Sequence, residues 1–140
     1  MDWKNCNENG IVKKISVDKA LAYSLRESSK NKLKTAGRLK VDNTTASSVI
    51  SLCYDSLREL LESLAIESGY KVYNHECYCA FLKEVLIKTE LGNQFDRFRK
   101  IRNNINYYGK DISPEEAKTI KSEIRALIKQ LKKINANLAE

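Results

Sequence analysis

Apolar residues recur along most of this chain at intervals of three and four, the period of a helix that buries one face, and no strand-like alternation persists beyond a few residues. The breakers fall between these periodic stretches: one proline, Pro114, and glycines at 10, 37, 69, 92 and 109. From about 17 to 36, Val17, Ala20, Leu21, Leu25 and Leu33 predict a first helix, whose lysine-crowded end suits the negative pole of a helix dipole. A second runs from about 43 to 67, opened by Asn43 as N-cap. It carries Val49, Cys53, Leu57, Leu60, Leu61 and Leu64 on one stripe and stops at Gly69.

A shorter third helix, about 75 to 89, is capped by Asn74 and turns Ala80, Phe81 and Val85 inward. A fourth, about 93 to 107, aligns Phe95, Phe98, Ile101, Ile105 and Tyr108 and ends on Gly109. The last has the clearest start, because Ser113 can cap, Pro114 fits the first helical position and Glu116 completes a Ser-x-x-Glu capping box. Ala117, Ile120, Ile124, Leu127, Leu131, Ile134 and Leu138 then form a narrow seam. Amphipathic helices with short connections predict an all-α, up-and-down helical bundle of four to five helices. The pattern makes residues 1–140 one domain, with 1–14 as an irregular N-terminal segment.

At 140 residues the chain can bury a core without metal or disulfide staples. No apolar run approaches the roughly 18 to 20 residues of a membrane span. The start, MDWKNCNENG, lacks the basic and apolar regions of a signal peptide, so a cytoplasmic protein is expected. In a reducing compartment Cys6, Cys53, Cys77 and Cys79 are expected to be free thiols. A formal net charge of +7 favours polyanionic partners.

That charge is concentrated. Arg97, Arg99, Lys100, Arg102 and Lys110 lie in a segment free of acids, and Arg99, Arg102, Asn103 and Asn106 share one helix face at i, i+3, i+4, i+7. Guanidinium forks match phosphate oxygens and asparagine amides reach sugar hydroxyls or base edges, which makes this face a candidate phosphate site. The same residues can instead be solvated or paired with acids of a neighbouring helix. A second cluster, Lys30, Lys32, Lys34, Arg38 and Lys40, either joins that surface or only complements the first helix's dipole.

Other chemistry finds little support. His75, Cys77 and Cys79 do not share one helix face, and no Cys-x-x-Cys or second histidine completes a zinc site. No nucleophile elbow, phosphate-binding glycine loop or His-Glu-x-x-His motif occurs, so no metal or cofactor is expected. His75, in the first turn of its helix, reads as a structural or capping residue.

The run SSVISLCYDSLRELLESLAIESGYKVYNHECYCAFLKEVL, followed by FDRFRKIRNNINYYGK, resembles the HEPN superfamily, in particular its small archaeal-type stand-alone members, over about two thirds of the chain. In that family a long helix with a Tyr-containing middle leads through a Gly turn to a His-Glu pair, as Gly69, His75 and Glu76 do here, and the following helix ends in an Arg-Asn pair. Many members are metal-independent endoribonucleases, with a motif of arginine, a short spacer whose first residue is often polar, and histidine. Arg102 and Asn103 fit its start, but Tyr107 and Tyr108 stand where the histidine would. The resemblance implies that the histidine handles the 2′-hydroxyl proton while the arginine stabilises the phosphate. A phenol, with a pKa of about 10, replaces imidazole poorly as a base. The resemblance further implies a homodimer, with the motif ends meeting across a cleft, and in some members a nucleotidyltransferase antitoxin partner.

The resulting expectation is an RNA- or nucleotide-binding module with weak or no ribonuclease activity. Arg102 and Tyr107 are its candidate catalytic pair, and Arg99, Arg102, Asn103, Asn106, Tyr108 and Lys110 its binding residues. Two rivals remain: an active metal-independent endoribonuclease toxin, and a helical protein-interaction module that binds no nucleic acid.

Overall fold

The computed structural model describes the backbone of residues 1–138 and the side chains of residues 1–134. Along the chain come α1 (Trp3–Glu8), β1 (Val12–Lys14), α2 (Lys19–Arg38), α3 (Ala46–Glu67), β2 (Tyr70–Val72), α4 (Glu76–Ala80), α5 (Thr89–Tyr108) and α6 (Pro114–Leu138). A π-helical turn, Phe81–Val85, continues α4. The result is an all-α helical bundle with a two-stranded antiparallel sheet at one side. No described helix is long and apolar enough to cross a membrane.

The bundle is organised around α3. Its predicted stripe is buried, but so are Ile50, Tyr54, Ser56, Glu59, Ser63 and Ala65, so the helix is covered on nearly every side. The serines show how. Ser29 of α2 donates to the Ser56 carbonyl at 2.6 Å and Ser56 donates back to the Ser29 carbonyl at 2.7 Å, satisfying two buried hydroxyls while the backbones approach closely. Arg26–Glu67 and Lys32–Glu59 ion pairs flank that seam.

This seam corrects the expected face of α2. Val17 is 50% exposed and Leu21 39%, Ala20 is also exposed, and Ala22, Ser29 and Ala36 are the buried positions. These fall seven residues apart, every second turn. Close packing selects small residues there, and of the larger apolar side chains expected on that face Leu33 packs partly buried against the core while Val17 and Leu21 do not.

The N-cap of α3 also differs. Asn43 is exposed, and Asp42 accepts from the backbone of Thr44 at 2.9 Å and Thr45 at 3.0 Å, an Asx turn that leads the chain into the helix. At α6 the expected box forms: Glu116 N–H donates to Ser113 Oγ at 3.1 Å, and the hydroxyl donates to the Glu116 carboxylate at 3.2 Å. Ala117, Ile120, Ile124, Leu127 and Leu131 are buried along α6 and Ile134 partly so, while the Leu138 side chain lies outside the described residues.

The N-terminal segment is not irregular. β1 pairs antiparallel with β2, matching Val12 to Val72 and Lys14 to Tyr70, and Trp3 of α1 packs edge-on against Tyr70 with centroids 5.1 Å apart. This arrangement brings Cys6 to Cys77, and the two form a disulfide, so only Cys53 and Cys79 are the free thiols expected of all four. A three-residue strand is too short to show a period, and residues 71 apart in sequence become neighbours only through the pairing of distant strands.

Beyond the π turn, α5 crosses α4 at Gly92, where an added Cβ would stand 3.1 Å from the Cys79 carbonyl. Gly109 ends α5 at φ +59°, the left-handed conformation glycine adopts without penalty.

Ile124→Ala should lower unfolding free energy by about 2–5 kcal/mol, whereas Leu21→Ala should change it by less than about 0.5 kcal/mol. Chemical denaturation of the two variants checks both the α6 seam and the corrected α2 face. Reducing Cys6–Cys77, or replacing both with serine, should lower stability by about 2–4 kcal/mol by freeing a long loop, measurable as a drop in Tm.

Candidate nucleic-acid interface

On α5, Arg97 pairs with Glu123 of α6, and Arg99 and Lys100 share Asp96, with Arg99 Nη2 at 2.7 Å and Lys100 Nζ at 3.0 Å. Burial alone would raise the Asp96 carboxyl, but hydrogen bonds from Arg99 and Lys100 outweigh it and hold the group at about 2. Pairing with an acid of a neighbouring helix therefore accounts for Arg97 alone of the five cations of this segment, while Arg99 and Lys100 are paired within their own helix. Arg102 differs: among the described residues it has no ion-pair partner, and its guanidinium lies over the ring of Tyr54, 5.4 Å from the centroid.

Arg102 opens onto a cleft of about 260 Å³ between α5 and the β2–α4 junction. From α5 come Arg99, Arg102, Asn103 and Tyr107, and from the junction come Tyr73, Asn74 and His75. Four residues of the predicted set thus converge. Asn106, Tyr108 and Lys110 do not line this cleft; Asn106 and Tyr108 are exposed past it. Lys110 lines a separate groove of about 410 Å³ between α5 and α6, whose floor is Ile101, Ile105, Ile112 and Ile120. Asp111, Glu115 and Glu116 offset Arg97 and Lys110 on that rim, which makes it a poor anion site. None of the Lys30–Lys40 cluster lines the Arg102 cleft, and Lys32 is occupied by buried Glu59.

His75 is the residue the sequence reading assigned elsewhere. Its side chain makes no cap; the Asn74 side-chain Oδ1 accepts from Glu76 N–H at 2.9 Å instead, and the imidazole faces the cleft. The Tyr54 hydroxyl stands 3.0 Å from His75 Nδ1. Burial, with the cations Arg58 and Arg102 nearby, lowers the His75 pKa to about 4, so the ring is neutral at pH 7. Burial also pushes the Tyr54 phenol well above its ordinary value, which keeps it protonated. A buried O–H needs an acceptor, and Nδ1 is the partner within reach. With Tyr54 donating to Nδ1, the proton of neutral imidazole resides on Nε2, which can donate to a ligand.

The cleft is consequently rich in donors. Arg102 offers a charged fork, Asn103 an amide with no protein partner among the described residues, Asn74 its free NH₂, and His75 an N–H. A phosphate or a carbonyl-bearing base supplies the acceptors such a surface lacks. His75 stands 27 residues before Arg102 on another element, and its link to Arg102 runs through Tyr54, so no spacing in the sequence signalled it.

Because His75 stays neutral in the fold to about pH 4 while an unfolded chain protonates it near 6.5, stability should decline as pH falls from about 6.5 to about 4 and its His75 component should level off below. An NMR titration of this single imidazole should show a midpoint near 4, and His75→Gln should flatten that part of the stability profile. A midpoint near 6.5 would place the ring in water. Compared with protein families, curated proteins and solved structures, the chain matches none.

Proposed function

We propose that the Arg102 cleft binds the phosphate of an RNA or nucleotide, and that the protein is a HEPN-like binding module with weak or no ribonuclease activity. The observation that carries this reading is Arg102 itself, a half-buried guanidinium without a carboxylate partner among the described residues, surrounded by neutral donors. An unpaired cation held partly out of water is strained electrostatically until an anion arrives. Arg97, by contrast, is neutralised by Glu123.

The second reading, a metal-independent endoribonuclease, gains one specific support: an imidazole stands in the cleft beside Arg102, although the motif position holds Tyr107. General-base catalysis needs a nitrogen lone pair aimed at the 2′-hydroxyl. Donation from Tyr54 to Nδ1 leaves Nε2 carrying a proton, so His75 suits ligand binding better than proton abstraction.

Arg102→Ala should weaken RNA or nucleotide binding by about 1.5–3 kcal/mol, the scale of a hydrogen bond to a charged group, while Arg97→Ala should change it little. Parent affinity should fall as salt rises. Electrophoretic mobility shifts at two salt concentrations, with cleavage followed in the same reactions, check this. Cleavage that survives in the parent and vanishes in His75→Ala would favour the endoribonuclease. An Arg102→Ala protein identical to the parent in binding and cleavage would leave the interaction module.

A further inference from the structure

Two exposed rings flank the cleft. Tyr73, just beyond β2, is 62% exposed and Tyr107, near the end of α5, is 70% exposed, although both line the same concave surface. Neither belongs to the aromatic packing that fills the interior, where Tyr54, Tyr78 and Phe95 stack or meet edge-on. Tyr73 is supported on one side by Lys13 of β1, whose Nζ lies 5.7 Å from the ring centroid. Lys13 makes no ion pair among the described residues and extends the positive surface past the cleft onto the two-stranded sheet. Asn74 and Asn103 line the same cleft as the two rings and the Arg102 guanidinium.

From this juxtaposition we infer that the ligand is a single-stranded nucleic acid, with a phosphate on Arg102 and an unpaired base on the Tyr73–Tyr107 rim. The inference rests on the phosphate-binding reading above and goes further in naming the ligand class. Water-exposed aromatic faces beside cations are what a strand with unstacked bases uses, because each base has a π-face and every linkage a charge. In a duplex those faces are occupied by neighbouring bases, and the rings have nothing to stack on.

Size points the same way. At about 260 Å³ the cleft lies below the roughly 300–1,000 Å³ of sites that enclose a small ligand, so a free mononucleotide leaves much of its surface in water. A strand continues over the rim, where Lys13 meets the next phosphate.

Fluorescence anisotropy tests this with labelled ten-nucleotide oligouridylate and oligothymidylate, a ten-base-pair RNA duplex, and uridine monophosphate as competitor. The parent should bind at least one single strand about ten-fold or more tightly than the duplex or the mononucleotide. A preference between the two single strands reports a contact to the 2′-hydroxyl, and either order supports the inference. Tyr73→Ala and Tyr107→Ala should each weaken single-strand binding about five- to one-hundred-fold while leaving duplex binding unchanged, and Tyr73→Trp should retain it. Because both side chains are exposed, the variants should keep the parent's circular dichroism and Tm. Equal, Arg102-dependent affinity for single strand and duplex, or tyrosine variants that bind as the parent does, overturns the single-strand inference and leaves the phosphate site standing. No binding to any of the four probes overturns both.

Discussion

The phenol of Tyr54 is buried at the middle of α3, and the cleft is built outward from it. Its hydroxyl meets His75 Nδ1, its face carries the Arg102 guanidinium, and its ring stacks on Phe95 of α5 with planes 21° apart. One side chain therefore sets the position of an imidazole from one element and a cation from another. The arrangement depends on burial twice over. Low polarity strengthens the hydrogen bond and the cation–π contact, and it also keeps both titratable rings neutral, so of the two guanidinium groups lining the cleft Arg102 is the one without a carboxylate partner among the described residues, Arg99 being paired with Asp96.

What places Tyr54 is the enclosure of α3. Close packing of α2 through Ala22, Ser29 and Ala36 fixes one side of the helix, the α6 seam covers another, and α4 and α5 cover the side that bears Tyr54. The β1–β2 pairing and the Cys6–Cys77 disulfide then fasten the N-terminal segment against β2 and α4. His75 lies two residues before Cys77, so the segment expected to be irregular is part of what holds one wall of the cleft in place.

Much of the architecture was legible because helical periodicity and capping chemistry are local. The α6 seam, its Ser113–Glu116 box and the Gly109 stop each need only a few neighbouring residues to be recognised, and each forms. The misreadings share a different cause. On α2, counting large apolar residues selected Leu21 along with Leu33, of which only Leu33 packs against the core, whereas the closest part of the interface is made by alanine and serine, whose value lies in how near the backbones come. Burial of α3 on nearly all sides, the strand at Val12–Lys14 and the disulfide all depend on partners far away in sequence. The candidate site divides along the same line: Arg99, Arg102 and Asn103 of α5 could be grouped by helical spacing and Tyr107 by its distance from Arg102 in the motif the chain resembles, while Tyr73, Asn74 and His75 join them only through the fold.

The distribution of acids explains why a chain with a net charge of +7 presents so selective a surface. Glu67, Glu59, Glu62, Glu123 and Asp96 are matched to cations of the packing seams and helix faces, which turns Arg26, Lys32, Arg58, Arg97 and Arg99 into structural or partly neutralised groups. Such pairs add little stability individually, but they remove most of the local cations from competition for a ligand. What remains beside the cleft is Arg102, with Lys13 beyond Tyr73. Attraction at long range is therefore a property of the whole surface, whereas the position of a bound phosphate is decided by one guanidinium held against one buried ring.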